Sequence, residues 1–167
     1  MKKNNAILAD LGRMWKHIRD DEKKNEHEPN AKRQFEIANN INSFIPLKDA
    51  NDLDLLEEQL KTEDFKNAML DALMKRGGKN VEDLTNNIMA KVFTNELASD
   101  FSMRGKQKKK TLLDFKIASC IIEAIMASEN SKEDYIHKQM GKWLANAPVR
   151  LSRNRAKKEK AELIKNN

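Results

Sequence analysis

From Phe44 onward, apolar side chains recur every three or four residues, the spacing that lines one face of an α-helix. Leu53, Leu56 and Leu60 form the first stripe, with Asp49 or Asn51 placed to accept from the free amides of its first turn. Phe65, Met69 and Leu73 form the second. Thr62 stands at its cap, Glu63 and Asp64 in its first turn, and Lys75 and Arg76 at its end, where the helix dipole favours each sign. Gly77 and Gly78 then stop it. Asn80 opens a third helix carrying Leu84, Ile88 and Val92, and Thr94, Glu96 and Leu97 add one or two further turns. Leu113, Ile117, Ile121 and Ala124 set the register of the most apolar helix, which the pattern makes the centre of the core. Ser131, with Asp134 three residues on, resembles a capping box. The helix it opens carries Tyr135, Ile136, Met140, Trp143 and Leu144. Pro148 interrupts a continuous helix just before it. The segment beyond, RLSRNRAKKEKAELIKNN, can be helical, but only Leu151, Leu163 and Ile164 could be buried.

Two stretches lack the periodicity. FIPL (44–47) is an extended entry, since Pro46 disfavours helix at Ile45. FSMRGKQKKKT (101–111) is predicted to be a mobile loop, because Gly105 breaks it and five basic residues within Arg104 to Lys110 oppose close packing. Before Phe44, Leu8, Leu11, Trp15 and Ile18 predict one short amphipathic helix, followed by a solvated linker, DDEKKNEHEPNAKR. The expected architecture is all-α: a compact bundle of five to six short helices over residues 44–148. A flexible, weakly ordered N-terminal arm (1–43) precedes it and a basic C-terminal helix or tail (149–167) follows.

Composition narrows the chemistry. Hydrophobic residues make up 39% and charged residues 35%, so the core is small and much of the chain is solvated. No run reaches the roughly 20 apolar residues of a membrane span, and the first residues build no apolar signal region, so neither membrane insertion nor secretion is expected. The single cysteine, Cys120, lies within IASCIIEAI and is predicted to be an inert core thiol. With only His17, His27 and His137 beside it, no zinc site can be assembled, and no cofactor is expected. Gly77–Gly78 is followed by no phosphate-binding GK[ST], and neither GxSxG nor HExxH occurs. Glu57–Glu58 and Glu63–Asp64 are assigned to solvated surface, as is His137 between Asp134 and Lys138. Nothing here points to an enzyme.

Charge is distributed unevenly. Residues 44–101 hold seven basic and twelve acidic side chains, whereas residues 102–167 hold sixteen basic and seven acidic, a net +9. The candidate contacts are Arg104, Lys106, Lys108, Lys109 and Lys110 in the first cluster, then Lys142, then Arg150, Arg153, Arg155, Lys157 and Lys158, with Lys160 following. Lys and Arg at this density neutralise phosphates and gain free energy by releasing counterions. Of nine aromatic residues, Phe65, Phe93, Phe115 and Trp143 sit on apolar faces, which leaves few to form a stacking platform for single-stranded bases. The expectation is therefore a nuclear module that binds duplex DNA or chromatin proteins electrostatically. The alternative is a protein–protein adaptor or self-associating module, a homo-oligomer, whose basic tail serves nuclear import.

From Phe44 to about Arg150 the chain resembles the helical, insect-rich family called domain of unknown function 4806. The residues that carry the likeness are FIPL, LDLLEEQL, Phe65 with Leu73, the RGG that precedes a polar helix start, VFTNELASDF (92–101), GKQKKK, IASCIIEAI and KWLANAPVR (142–150). Met103 departs from the Trp common in that family before its glycine segment, which leaves the loop without a family precedent. The stretch from Val92 through Trp143 is also similar to BEN domains, small helical units of chromatin proteins, several of which bind DNA. That likeness implies Phe93, Leu97 and Ile117 in the core, and Lys106, Lys108, Lys109, Lys110, Arg150 and Arg153 facing DNA.

Overall fold

Asp49 marks the first helix boundary: its carboxylate accepts from the Asp52 amide at 3.0 Å and opens α1 (Ala50–Gln59), which buries Leu53 and Leu56. The computed structural model of the protein describes Ile37 and residues 40–165. By its internal contacts the chain divides into two units, residues 1–39 and 40–167. The predicted N-terminal helix and linker fall outside the described residues. Residues 40–44 are helical and Ile41 is buried, so the boundary expected at Phe44 lies inside the second unit.

α2 (Glu63–Met74) buries Phe65, Met69 and Leu73. Thr62 is its cap residue, yet its hydroxyl donates to the Gln59 carbonyl at 2.8 Å and so closes α1 instead of opening α2. Gly77 takes a left-handed backbone, while Gly78 serves a close approach: a β-carbon there would lie 2.4 Å from the Leu84 amide nitrogen. Asn80 accepts from the Asp83 amide at 2.9 Å and starts α3 (Val81–Val92), which buries Leu84, Ile88, Met89 and Val92. Leu47 of the extended entry bridges to the end of this helix, its amide donating to the Val92 carbonyl at 2.8 Å. Thr94 then caps the single-turn α4 (Asn95–Ala98), accepting from Leu97 and donating to the Leu47 carbonyl.

α5 (Lys116–Ser128) is the centre of the unit, packing on α1, α2, α3 and the helix that follows it. Seven of its thirteen residues are buried. Its first turn has no local cap. Glu57 of α1 supplies one: its two carboxylate oxygens accept from the Lys116 and Ile117 amides at 2.8 and 2.9 Å. Glu57 was expected to be solvated surface. It instead satisfies two of the orphan donors that every helix start leaves open. α6 (Glu133–Ala145) buries Ile136, Gln139, Met140, Trp143 and Leu144. Ser131 does not cap it; the helix begins one residue later with Lys132 as the cap, and no side chain bonds to its first turn. α7 (Ala147–Lys165) follows after Asn146, with Pro148 in its first turn, where a missing amide costs no helical bond. Of the basic helix or tail expected from residue 149, the structure forms the helix, 19 residues long and starting at Ala147. The fold is all-α, apart from two strands of two residues each among the described residues, and Phe93, Leu97 and Ile117 are all in its core.

Candidate nucleic-acid interface

The segment predicted to be a mobile loop is instead a closed turn. Phe101 is buried and meets Phe115 edge to face at 5.6 Å between ring centres. β1 (Phe101–Ser102) pairs in parallel with β2 (Lys110–Thr111), and one turn of 3₁₀ helix, Lys106–Lys108, lies between them. The Ser102 hydroxyl accepts from the Lys106 amide at 2.8 Å. Gly105 is left-handed at φ +68°, and a β-carbon there would approach the Thr111 hydroxyl to 2.7 Å. Backbone bonds and one aromatic pair close the turn, while Arg104, Lys106, Lys108 and Lys110 are exposed. Charge therefore does not oppose the packing, which is why composition alone misjudged this segment.

The turn lies against α6. Between them is a cavity of about 490 Å³ with Arg104, Lys106 and Lys109 on one wall and Asp134, His137 and Lys138 on the other. Phe101, Met103, Gly141 and Ala145 complete its surface. Lys138, absent from the residues expected to contact nucleic acid, thus joins three that were expected. Its signal in the sequence is the spacing to Lys142, which sets both on the side of α6 away from Ile136 and Met140. His137, expected at the surface, is half-buried. Both ring nitrogens are shielded from solvent and lack a hydrogen-bond partner, and Glu133 Oε1, 3.4 Å from Nε2, is outside hydrogen-bond geometry. Lys108 and Lys110 do not line this cavity.

The adjacent face of α6 borders a second groove of about 590 Å³, which gathers Lys142, Arg150 and Arg153 beside Asn86 and Asn87 of α3. Arg150 borders this groove, but most of its guanidinium is engaged within the protein. Its guanidinium lies 3.9 Å from the centre of the Trp143 ring, Nε donates to Asn95 Oδ1 at 2.8 Å and Nη1 donates to the Trp143 carbonyl at 2.8 Å. Burial draws its pKa down from the ordinary arginine value. A guanidinium held this way braces α4, α6 and α7, while its Nη2 is buried without a hydrogen-bond partner.

From Arg153 to Lys160 the cations of α7 are exposed. Helical spacing sorts them onto two faces. Arg155 and Lys158 stand four residues before Glu159 and Glu162 respectively, the separation at which opposite charges attenuate one another. Arg153, Lys157 and Lys160 share the other face, which carries no acid.

A family model described as domain of unknown function (DUF4806) matches residues 40–124. The chain belongs to this family. No curated protein and no solved structure matches the chain. The DUF4806 match begins in the helical segment that buries Ile41 and ends inside α5. It includes the basic turn but not α6 or α7. One wall of the cavity therefore lies within the DUF4806 segment and the opposite wall lies outside it. Among the described residues no cluster of His, Cys, Asp and Glu could hold a metal ion, and no helix is long and apolar enough to cross a membrane.

Proposed function

We propose that the protein is a nuclear module that binds duplex nucleic acid through phosphate contacts. The observation that carries this reading is the convergence of Arg104, Lys106 and Lys109 of the turn with Lys138 of α6, residues far apart in sequence, on one cavity. Among the described residues none of these four enters an ion pair, so their charge is available to a partner. Clustered unpaired cations attract phosphates and release counterions on binding, an effect that does not depend on base sequence. Lys142 and the Arg153, Lys157 and Lys160 face of α7 extend the basic surface. With the Nε and Nη1 donors of Arg150 engaged by Asn95 and the Trp143 carbonyl, few groups remain to read base edges, and sequence preference is expected to be weak.

Titration of random-sequence duplex DNA against the protein at several salt concentrations tests this. Saturable binding that weakens steeply with salt supports it. Retained self-association with no binding to DNA at low salt would select the adaptor, with the basic segments serving import.

A further inference from the structure

We infer that the cavity between the basic turn and α6 is a specific seat for a phosphate monoester bearing a planar group, a nucleoside 5′-monophosphate in size and chemistry. This deepens the reading above at one site and rests on the same cations. A cavity of about 490 Å³ falls within the roughly 300–1,000 Å³ typical of small-molecule sites. Arg104, Lys106, Lys109 and Lys138 put four positive charges on its walls against one carboxylate, Asp134. A phosphate monoester carries up to two negative charges and three acceptor oxygens, which suits an arginine fork with lysines around it.

The rest of the cavity is shaped for something other than phosphate. Gly141 and Ala145, four residues apart on α6, leave the helix surface without bulk, and the flexible Met103 side chain lies over it, its Cγ 3.3 Å from where a Gly141 β-carbon would stand. Beside Met103, over the small Ala145 side chain, there is room for a flat ring, and Asp134 offers an acceptor to a sugar hydroxyl or exocyclic amine. His137 adds an independent reason. An imidazole always carries at least one N–H, and one left buried without an acceptor is destabilising. His137 lines the cavity but its nitrogens are covered and Glu133 Oε1 stands 3.4 Å from Nε2, so the ring must turn toward the cavity before a ligand oxygen can act as its acceptor.

Calorimetric titration of the full chain with adenosine 5′-monophosphate, adenosine and inorganic phosphate tests the assignment. The nucleotide should bind at least about tenfold more tightly than either part alone, since loss of a charge-assisted contact set or of the buried ring each costs about that factor. Arg104→Gln with Lys109→Gln should weaken it by about tenfold or more. Ala145→Trp, at an exposed helix position, should abolish it by filling the space beside Met103. Lys108→Gln with Lys110→Gln, outside the cavity, should leave it within about twofold. A 5′-phosphorylated oligonucleotide competing better than its 5′-hydroxyl form would identify a strand end as the source of the phosphate, and equal competition would identify free nucleotide. Nucleotide affinity no better than that of phosphate, or equal losses in the two double variants, would overturn the assignment. Salt-dependent duplex binding that survives such a result would leave the broader reading standing, and its loss with nucleotide binding retained would do the reverse.

Discussion

The Arg150 guanidinium lies 3.9 Å from the centre of the Trp143 ring, and the same arginine donates to the Trp143 carbonyl and to Asn95. One side chain thus ties the start of α7 to the end of α6 and to α4. Arg150→Ala removes the stacking and leaves two polar partners without a donor, so it should lower unfolding free energy by about 2–4 kcal/mol. Arg150→Lys should restore little, because a lysine has neither the planar fork nor the stacking face. Urea denaturation followed by tryptophan fluorescence measures both. Unchanged stability with a large loss of DNA affinity would return Arg150 to the role of a base-reading residue.

Glu57 makes a second prediction. Its carboxylate caps α5 from another helix, whereas Glu58 beside it is exposed and pairs with Lys61, just past the end of α1. Glu57→Ala should therefore cost about 1–3 kcal/mol and Glu58→Ala about 0–0.5 kcal/mol. Equal effects in the denaturation midpoints would mean that the cap contributes nothing.

How far these features could be read in advance differs by the range of the interaction. The stripes of α1, α2 and α3 follow from period alone, as do those of α5 and α6 except that Leu113 precedes α5 and Tyr135 is exposed, and Asp49 and Asn80 cap where local chemistry says they should. Glu57 could not be assigned this way, because its partners lie far along the chain and an acidic pair within a helix reads as solvated. The turn at 101–111 was misjudged for a related reason. Its lysines signal solvent, but Phe101, Gly105 and backbone pairing decide its order. The cations of the site were legible as residues and not as a constellation. Sequence clustering put Arg150 with Arg153 and left Lys138 out, whereas the fold engages Arg150 in packing and sets Lys138 opposite Arg104.

Cys120 gives a prediction about pH. Burial pushes its thiol up to about 11, above the value of 9.0 for an unperturbed thiol. Between pH 9 and 11 the unfolded chain loses that proton while the folded chain keeps it, so this contribution to stability is intact below pH 9 and is lost as pH rises toward 11. At neutral pH the native thiol should react with a disulfide reagent only as fast as the protein opens, and Cys120 labelling should speed up in urea. Rapid stoichiometric labelling of the folded protein would place the thiol at the surface.

Ile121 tests the central position of α5. It is fully buried in the helix that touches α1, α2, α3 and α6, so Ile121→Ala should cost about 2–5 kcal/mol. Leu55→Ala, at an exposed position of α1, should shift the melting transition little. The comparison by thermal denaturation fails if the two variants behave alike.

The two faces of α7 predict unequal roles in binding. Arg153→Gln, Lys157→Gln and Lys160→Gln together remove the face without acids and should flatten the salt dependence by about one phosphate each. Arg155→Gln with Lys158→Gln removes charges already offset by Glu159 and Glu162 and should change it by less than one. Equal losses per charge would mean that α7 contributes a diffuse field and no defined face.

The most direct test is the slope of log affinity against log salt for random-sequence duplex DNA, measured on the full chain. Contacts to about five to eight phosphates predict a slope of about −5 to −7 at roughly −0.9 per phosphate. Arg104→Gln with Lys138→Gln, one change on each wall of the cavity, should bring it about two units closer to zero. A slope near zero, or no binding at about 50 mM salt where phosphate contacts are strongest, would contradict the account.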